Sequence, residues 1–232
     1  MPNPGLAIKL LSTLAVQGAL PRLVSLYEAE TGNTVDATLA PTHGVLERIA
    51  AGETADMVIV TRSALDDLVA KGVIRADSVV DVAVSRVGIA VQSGAPKPDI
   101  SSVDALKATL LAASSVAYSR IGASGVFFGE LIRRLGIAEA VNAKAIITSG
   151  GLTGEVVARC EAELAVQQLS ELMAVPGIEV VGSLPPGAES VTMFSAGVFA
   201  GAAQAEAALL LARSLQATES KRVLAASGLQ PA

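Results

Sequence analysis

The chain has 232 residues, enough for one large domain or two small lobes with a real core. Hydrophobic residues make up 51% but aromatics only 3%, so the core must be built from Ala, Val, Leu and Ile, as in short parallel strands buried under helices. A net charge of -5 without a basic patch excludes non-specific nucleic-acid binding, and apolar runs broken by Gly, Arg or Asp leave no clean membrane span.

Residues 8–11 predict a buried strand. Leu20, Leu23 and Leu26 with Tyr27 share one face of a helix that runs to about residue 30 and stops at Thr31-Gly32, with Pro21 in an early turn. Residues 34–39 predict the next strand, 45–51 a short helix closed by Gly52, and 56–60 a third strand. Ser63 is the expected cap of a helix that ends at Lys71-Gly72. The texture then changes: residues 79–84 and 87–91 are two apolar runs broken by Ser85-Arg86, and 93–98 is a loop with two prolines. A helix over 103–113, a strand over 116–118 and a loop, Gly122-Ala123-Ser124-Gly125, opening a helix over 126–135 follow. Residues 145–148 and 164–167 predict strands around a helix that opens at Ser149-Gly150-Gly151 and reaches Arg159. Pro185-Pro186-Gly187 breaks the chain before a strand over 192–199, and two helices finish it.

This alternation implies mainly parallel sheets wrapped by helices, an α/β fold. The breaks near 81–86 and 185–190 predict a discontinuous first lobe (1–82 and 191–232), a continuous second lobe (83–190) and a two-strand hinge between them. The chain opens Met1-Pro2-Asn3-Pro4 and enters a strand without the basic and apolar regions of a signal peptide. As it stands it reads as cytoplasmic, and as periplasmic if it has been trimmed. The single cysteine, Cys160, excludes an intrachain disulfide and reads as a small buried residue on a helix. No metal-ligand spacing exists, and no cofactor is expected.

Four loops share one design. Ser12-Thr13, Thr42-His43-Gly44, Gly122-Ala123-Ser124-Gly125 and Gly150-Gly151-Leu152-Thr153 each follow a strand, open a helix and are rich in small or hydroxyl residues. A helix start offers free N–H groups and partial positive charge, small residues admit an anion, and hydroxyls add donors. Each loop alone is an ordinary cap. Four in one chain, two per lobe, point to a shared anion site at the strand ends.

On these residues the chain resembles the type II periplasmic-binding-protein fold, and specifically the molybdate-binding proteins of ABC transporters. The resemblance is carried by Leu11-Ser12-Thr13, by Glu28-Ala29-Glu30-Thr31-Gly32, and by Gly52-Glu53-Thr54-Ala55-Asp56-Met57-Val58. Gly122-Ala123-Ser124-Gly125, the run from Val157 to Gln168, and Phe194-Ser195-Ala196-Gly197-Val198 carry it further. It implies binding by Ser12, Thr13 and the Thr42-His43 loop from one lobe, and by Ala123, Ser124, Gly125, Thr153 and Gln167 from the other. It also implies a small anionic solute as partner and, for an exported protein, an ABC transporter permease. Neither nucleic acid nor membrane insertion is expected.

Two departures from the molybdate binders matter. A tyrosine that holds oxyanion in that family is replaced by Gln167, and Arg120 stands beside the Gly122 loop, with Arg62 and Arg86 as further guanidinium groups. A guanidinium pairs bidentately with a carboxylate, which points toward an organic acid; Arg62 reads rather as a solvated surface charge. The family has an enzymatic branch, aconitate isomerase, that shifts a double bond in a tricarboxylate. A solute binder for a carboxylate or an oxyanion such as molybdate is therefore one expectation, and a cytoplasmic isomerase of a di- or tricarboxylic acid the alternative. In the latter, His43, or a hydroxyl such as Ser12 or Tyr118, is the candidate proton carrier.

Overall fold

Strand and helix alternate along the computed structural model, which describes residues 5–232. In chain order they are β1 (Ala7–Thr13), α1 (Leu20–Thr31), β2 (Thr34–Ala40), α2 (Thr42–Ala50), β3 (Met57–Thr61), α3 (Arg62–Ala70) and β4 (Val80–Gln92). There follow α4 (Val103–Ala112), β5 (Val116–Ser119), α5 (Ala123–Arg134), α6 (Ala138–Asn142), β6 (Ala145–Thr148), α7 (Thr153–Ala158) and β7 (Leu164–Gln168). The chain ends with α8 (Leu169–Met173), β8 (Ile178–Ser183), β9 (Val191–Val198), α9 (Ala205–Ser214), α10 (Thr218–Ala226) and β10 (Gln230–Pro231). It divides into two units: the first runs to Val84 and resumes over Thr192–Ala232, and the second is Ser85–Val191.

In the first unit β1 lies between β2 and β3, parallel to both, and β9 runs antiparallel to β3. Side chains alternate across this sheet. Ile8, Leu10, Met57 and Ile59 face one side and pack with α1, α9 and α10; Leu11, Val58 and Val60 face the other and pack with α2 and α3. Both faces are covered, so the strands read as continuous apolar runs. α1 ends where Gly32 turns left-handed at φ 73° and its N–H bonds Glu28 O.

The second unit repeats the plan: β5 lies between β6 and β7, parallel to both, and β4 runs antiparallel to β7. Val87, Ile89, Val116, Tyr118, Leu164 and Val166 pack with α4, α5 and α6. The other face presents Ala90, Ala117 and Ala165, whose small side chains let the short helices α7 and α8 sit close to the sheet.

Several local expectations are corrected. The two apolar runs around Ser85-Arg86 are one strand, β4: Ser85 is buried and Arg86 exposed, which is simple alternation rather than a break. The cap of α3 is Thr61, whose Oγ1 accepts Ala64 N–H, and Ser63 lies inside the helix. Cys160 is exposed and left-handed at φ 59°, because α7 stops at Ala158 and the chain reverses through it, with Glu161 N–H bonding Val156 O.

Asp56, just before β3, ties the first unit together. Its carboxylate accepts Lys9 N–H of β1 at 2.9 Å and Gln204 N–H at the start of α9 at 2.8 Å, and its own carbonyl accepts Phe199 N–H. Asp56→Ala would leave two backbone donors short of an acceptor. We expect it to lower unfolding free energy by about 2–4 kcal/mol in urea denaturation, with Asp56→Asn between it and wild type.

Candidate functional site

Parallel pairing sends the C-terminal ends of β1, β2 and β3 to one edge of the first unit. There β1 ends in Ser12 and Thr13, both buried. Ser12 Oγ donates to Thr13 O at 3.3 Å. Thr13 Oγ1 accepts Ala15 N–H at 3.5 Å and the Thr42 hydroxyl at 3.4 Å. The Thr13 and Thr42 hydroxyls thus meet, and the Ser12 hydroxyl bonds the backbone beside them. Thr42, His43 and Gly44 are not a loop, as expected, but the first turn of α2: Pro41 caps it, and Val45 N–H closes onto Pro41 O at 3.0 Å. The helical spacing sets His43 over Glu47, Nε2 to carboxylate 3.2 Å, with the imidazole 56% exposed.

In the second unit β5 ends at Ser119, a residue the sequence reading did not select. Its Oγ accepts Ile121 and Gly122 N–H, each at 3.2 Å, and so folds the turn that starts α5. A serine before a glycine-containing turn was the available signal. Ala123, Ser124 and Gly125 lie within the first turn of α5 rather than ahead of it. Gly122 O accepts Gly125 and Val126 N–H, while the N–H groups of Ala123 and Ser124 have no acceptor inside the helix. A Cβ on Gly125 would stand 1.5 Å from Ser119 O, so only glycine permits this approach. Arg120 is exposed in the turn. Tyr118 is not a candidate proton carrier: its ring packs edge-on to Phe128 in the core and its hydroxyl donates to Asn142.

Gln167, next to last in β7, is buried. Gln167 Oε1 accepts Thr153 N–H at 2.7 Å and the Thr153 hydroxyl at 2.9 Å, and Nε2 donates to Gly151 O at 3.3 Å. The structure therefore joins Gln167 to Thr153 across β7 and α7. Next to them lies Glu171, which the sequence reading also missed. It is the third residue of α8, and its carboxylate accepts Gln168 N–H at 3.3 Å in a capping box. Burial lifts this carboxyl to about 7, against the hydrogen bonds from Gln168 N–H and the Gln167 side chain, which lower it.

Of the other guanidinium groups, Arg62 is engaged by Asp66 and Asp81, each at 2.8 Å, and the Ser195 hydroxyl donates to Asp81 at 2.7 Å. The Ser195 hydroxyl and the Arg62 guanidinium hold Asp81 below the usual carboxyl range, against its partial burial. Arg86 is exposed on β4. At the opposite end of the strands of the second unit, a cavity of about 480 Å³ is lined by Gln92, Ser114, Cys160 and Glu163, among others. No helix among the described residues is long and apolar enough to cross a membrane.

Residues 8–230 match the family described as bacterial extracellular solute-binding protein. A curated relative, the aconitate isomerase of a Pseudomonas species, is 40% identical over 99% of this chain and 89% of its own length. Among solved structures, the periplasmic molybdate-binding protein of Azotobacter vinelandii superposes with TM-score 0.81 at 16% identity, covering 96% of this chain and 98% of its own. The sulfate-binding protein of Mycobacterium tuberculosis gives 0.77 at 16% identity, covering 97% and 87%. These structural likenesses show the fold, which is the type II periplasmic-binding-protein fold.

Glu171 generates a stability prediction. Its carboxyl is raised from 4.5 to about 7 on folding, so between those values the native state holds a proton that the unfolded chain has released. Stability from this group is fully present below 4.5 and is lost as pH rises through about 7. Glu171→Gln abolishes that loss. Denaturation across pH should show the variant gaining on wild type by an amount on the order of 3 kcal/mol between about pH 4 and about pH 8.

Proposed function

Because the chain belongs to the bacterial extracellular solute-binding protein family, we propose that it binds a small carboxylate anion and shifts a double bond within it. Isomerisation rests on one observation: 40% identity over 99% of the chain to an aconitate isomerase. Binding is supported by the neutral donors at the strand ends. In this reading the anion-binding donors are, in the first unit, the hydroxyls of Ser12, Thr13 and Thr42 and, in the second, the first turn of α5, with the N–H groups of Ala123 and Ser124 beside Gly125. Thr153 and Gln167 form the frame of the adjoining loop, and the exposed Arg120 pairs with a carboxylate of the ligand.

The chemistry needs a proton removed from a carbon beside a carboxylate and a proton returned at the far end of the same three-carbon unit. Between the two steps the electron pair spreads onto the carboxylates, where hydrogen-bond donors stabilise it. His43 is the proposed proton carrier. Glu47 orients its imidazole, supplying a partner that the sequence did not identify.

A second reading, solute binding without turnover and delivery to an ABC transporter permease, is favoured by the likeness to molybdate- and sulfate-binding proteins. Incubation with cis- or trans-aconitate, followed by proton NMR, separates the two. The isomerase reading expects interconversion with solvent deuterium incorporated, and His43→Ala slowed about 100-fold or more with affinity retained. Binding without interconversion establishes the second reading, and full activity of His43→Ala removes the histidine from the mechanism.

A further inference from the structure

We propose that the hydroxyls of Ser119 and Thr148 form a further anion-binding subsite in the second unit, which takes one acceptor oxygen of the ligand. The inference deepens the reading above, in which the first turn of α5 receives the anion, and rests on it.

The argument starts from hydrogen-bond capacity. A serine hydroxyl accepts two bonds and donates one. Ser119 Oγ already accepts Ile121 and Gly122 N–H, each at 3.2 Å. Only its O–H remains to be given, and no described residue takes it. Thr148 Oγ1 is shielded from solvent and has no hydrogen-bond partner among the described residues. Yet Thr148 as a residue is only half-buried, at the end of the edge strand β6. A threonine so placed ordinarily gives its hydroxyl to water. Here the oxygen is turned inward and left unpaired, which costs free energy and calls for a partner.

Topology brings the two hydroxyls together. β5 and β6 are parallel, and Ser119 lies directly opposite Thr148. Residues paired in this way share a face of the sheet, here the face of Ala117, with backbones roughly 5 Å apart. The hydroxyls do not bond each other, so one oxygen placed between them can accept from both. Because Ser119 can only donate, the entering atom must be an acceptor. A carboxylate or oxyanion oxygen fits, and an ammonium or amide N–H does not. The turns beside the pair leave room. A Cβ on Gly150 or Gly151 would meet nothing within 4 Å, and one on Gly122 would meet only Ser119, at 3.7 Å. Ser119 also lies against the start of α5, since its carbonyl oxygen occupies the place of a Gly125 side chain. The two hydroxyls therefore adjoin the Ala123 and Ser124 N–H groups, which have no acceptor inside the helix.

Thr148 carries the test, because Ser119→Ala would also strip the turn of its acceptor. Thr148→Val removes the hydroxyl and keeps the shape of the side chain. In ligand-free protein this variant should unfold at the same urea concentration as wild type or at a higher one, since an unpaired buried hydroxyl is lost. In calorimetry its affinity for trans-aconitate should fall about ten- to a hundredfold, the effect of losing a hydrogen bond to a charged group. Thr148→Ser, which keeps a hydroxyl, should recover most of that loss. A valine variant less stable than wild type would mean that the hydroxyl is bonded within the protein, and one with wild-type affinity that the ligand does not reach it; either result refutes the proposal. If wild type binds molybdate or sulfate but not trans-aconitate, the carboxylate reading fails, and the same comparison with that anion decides the role of Thr148. If wild type binds none of the three, the subsite is refuted together with the anion site.

Discussion

Backbone hydrogen bonding between parallel strands decides where this protein gathers its strand ends and helix starts. With β1 between β2 and β3 in one unit, and β5 between β6 and β7 in the other, three strand ends in each unit arrive at one edge. Helices must return the chain to the opposite edge, so their first turns also collect there. The unused N–H groups of those turns and the hydroxyls beside them follow from topology.

Packing then sharpens what topology supplies. In the first unit Asp56 fixes β1 against β3 and against α9 through backbone N–H groups, so the ends of those strands inherit a rigid frame. In the second, the alanine face of the sheet lets α7 and α8 approach closely enough to bury Glu171. Tightness costs stability: a buried carboxyl titrating near neutrality is destabilising when ionised. Such a cost is common where a site must be held in one geometry.

Much of this was legible in the sequence. Apolar runs separated by helical periodicity gave the strand and helix order, and small or hydroxyl residues at strand ends marked Ser12, Thr13, Thr42, Ser124 and Thr153. The boundaries were less legible. Gly44 and Gly125 look like loop residues, yet each lies in the first turn of a helix, and at Gly125 the glycine is required because the backbone of Ser119 approaches it closely. Ser85-Arg86 looked like a break because one polar residue there is buried against Ser170. The histidine's partner was hidden because residues 42–44 read as a loop, which masks the i,i+4 spacing of His43 and Glu47, and the buried acid because the burial of Glu171 depends on which face of α8 meets the sheet. Pattern marks candidates, but orientation assigns their partners.

The proposed function joins these features to one kind of ligand, a small carboxylate anion held by neutral donors and Arg120 and turned over through His43. Titrating trans-aconitate into nitrogen-15-labelled protein tests that claim most directly. The account predicts that the largest shift changes fall on the amides of Ser12, Thr13, Thr42, Ala123, Ser124 and Thr153. Changes that spare these amides, or that centre on the cavity around Gln92, Ser114 and Cys160, would contradict it.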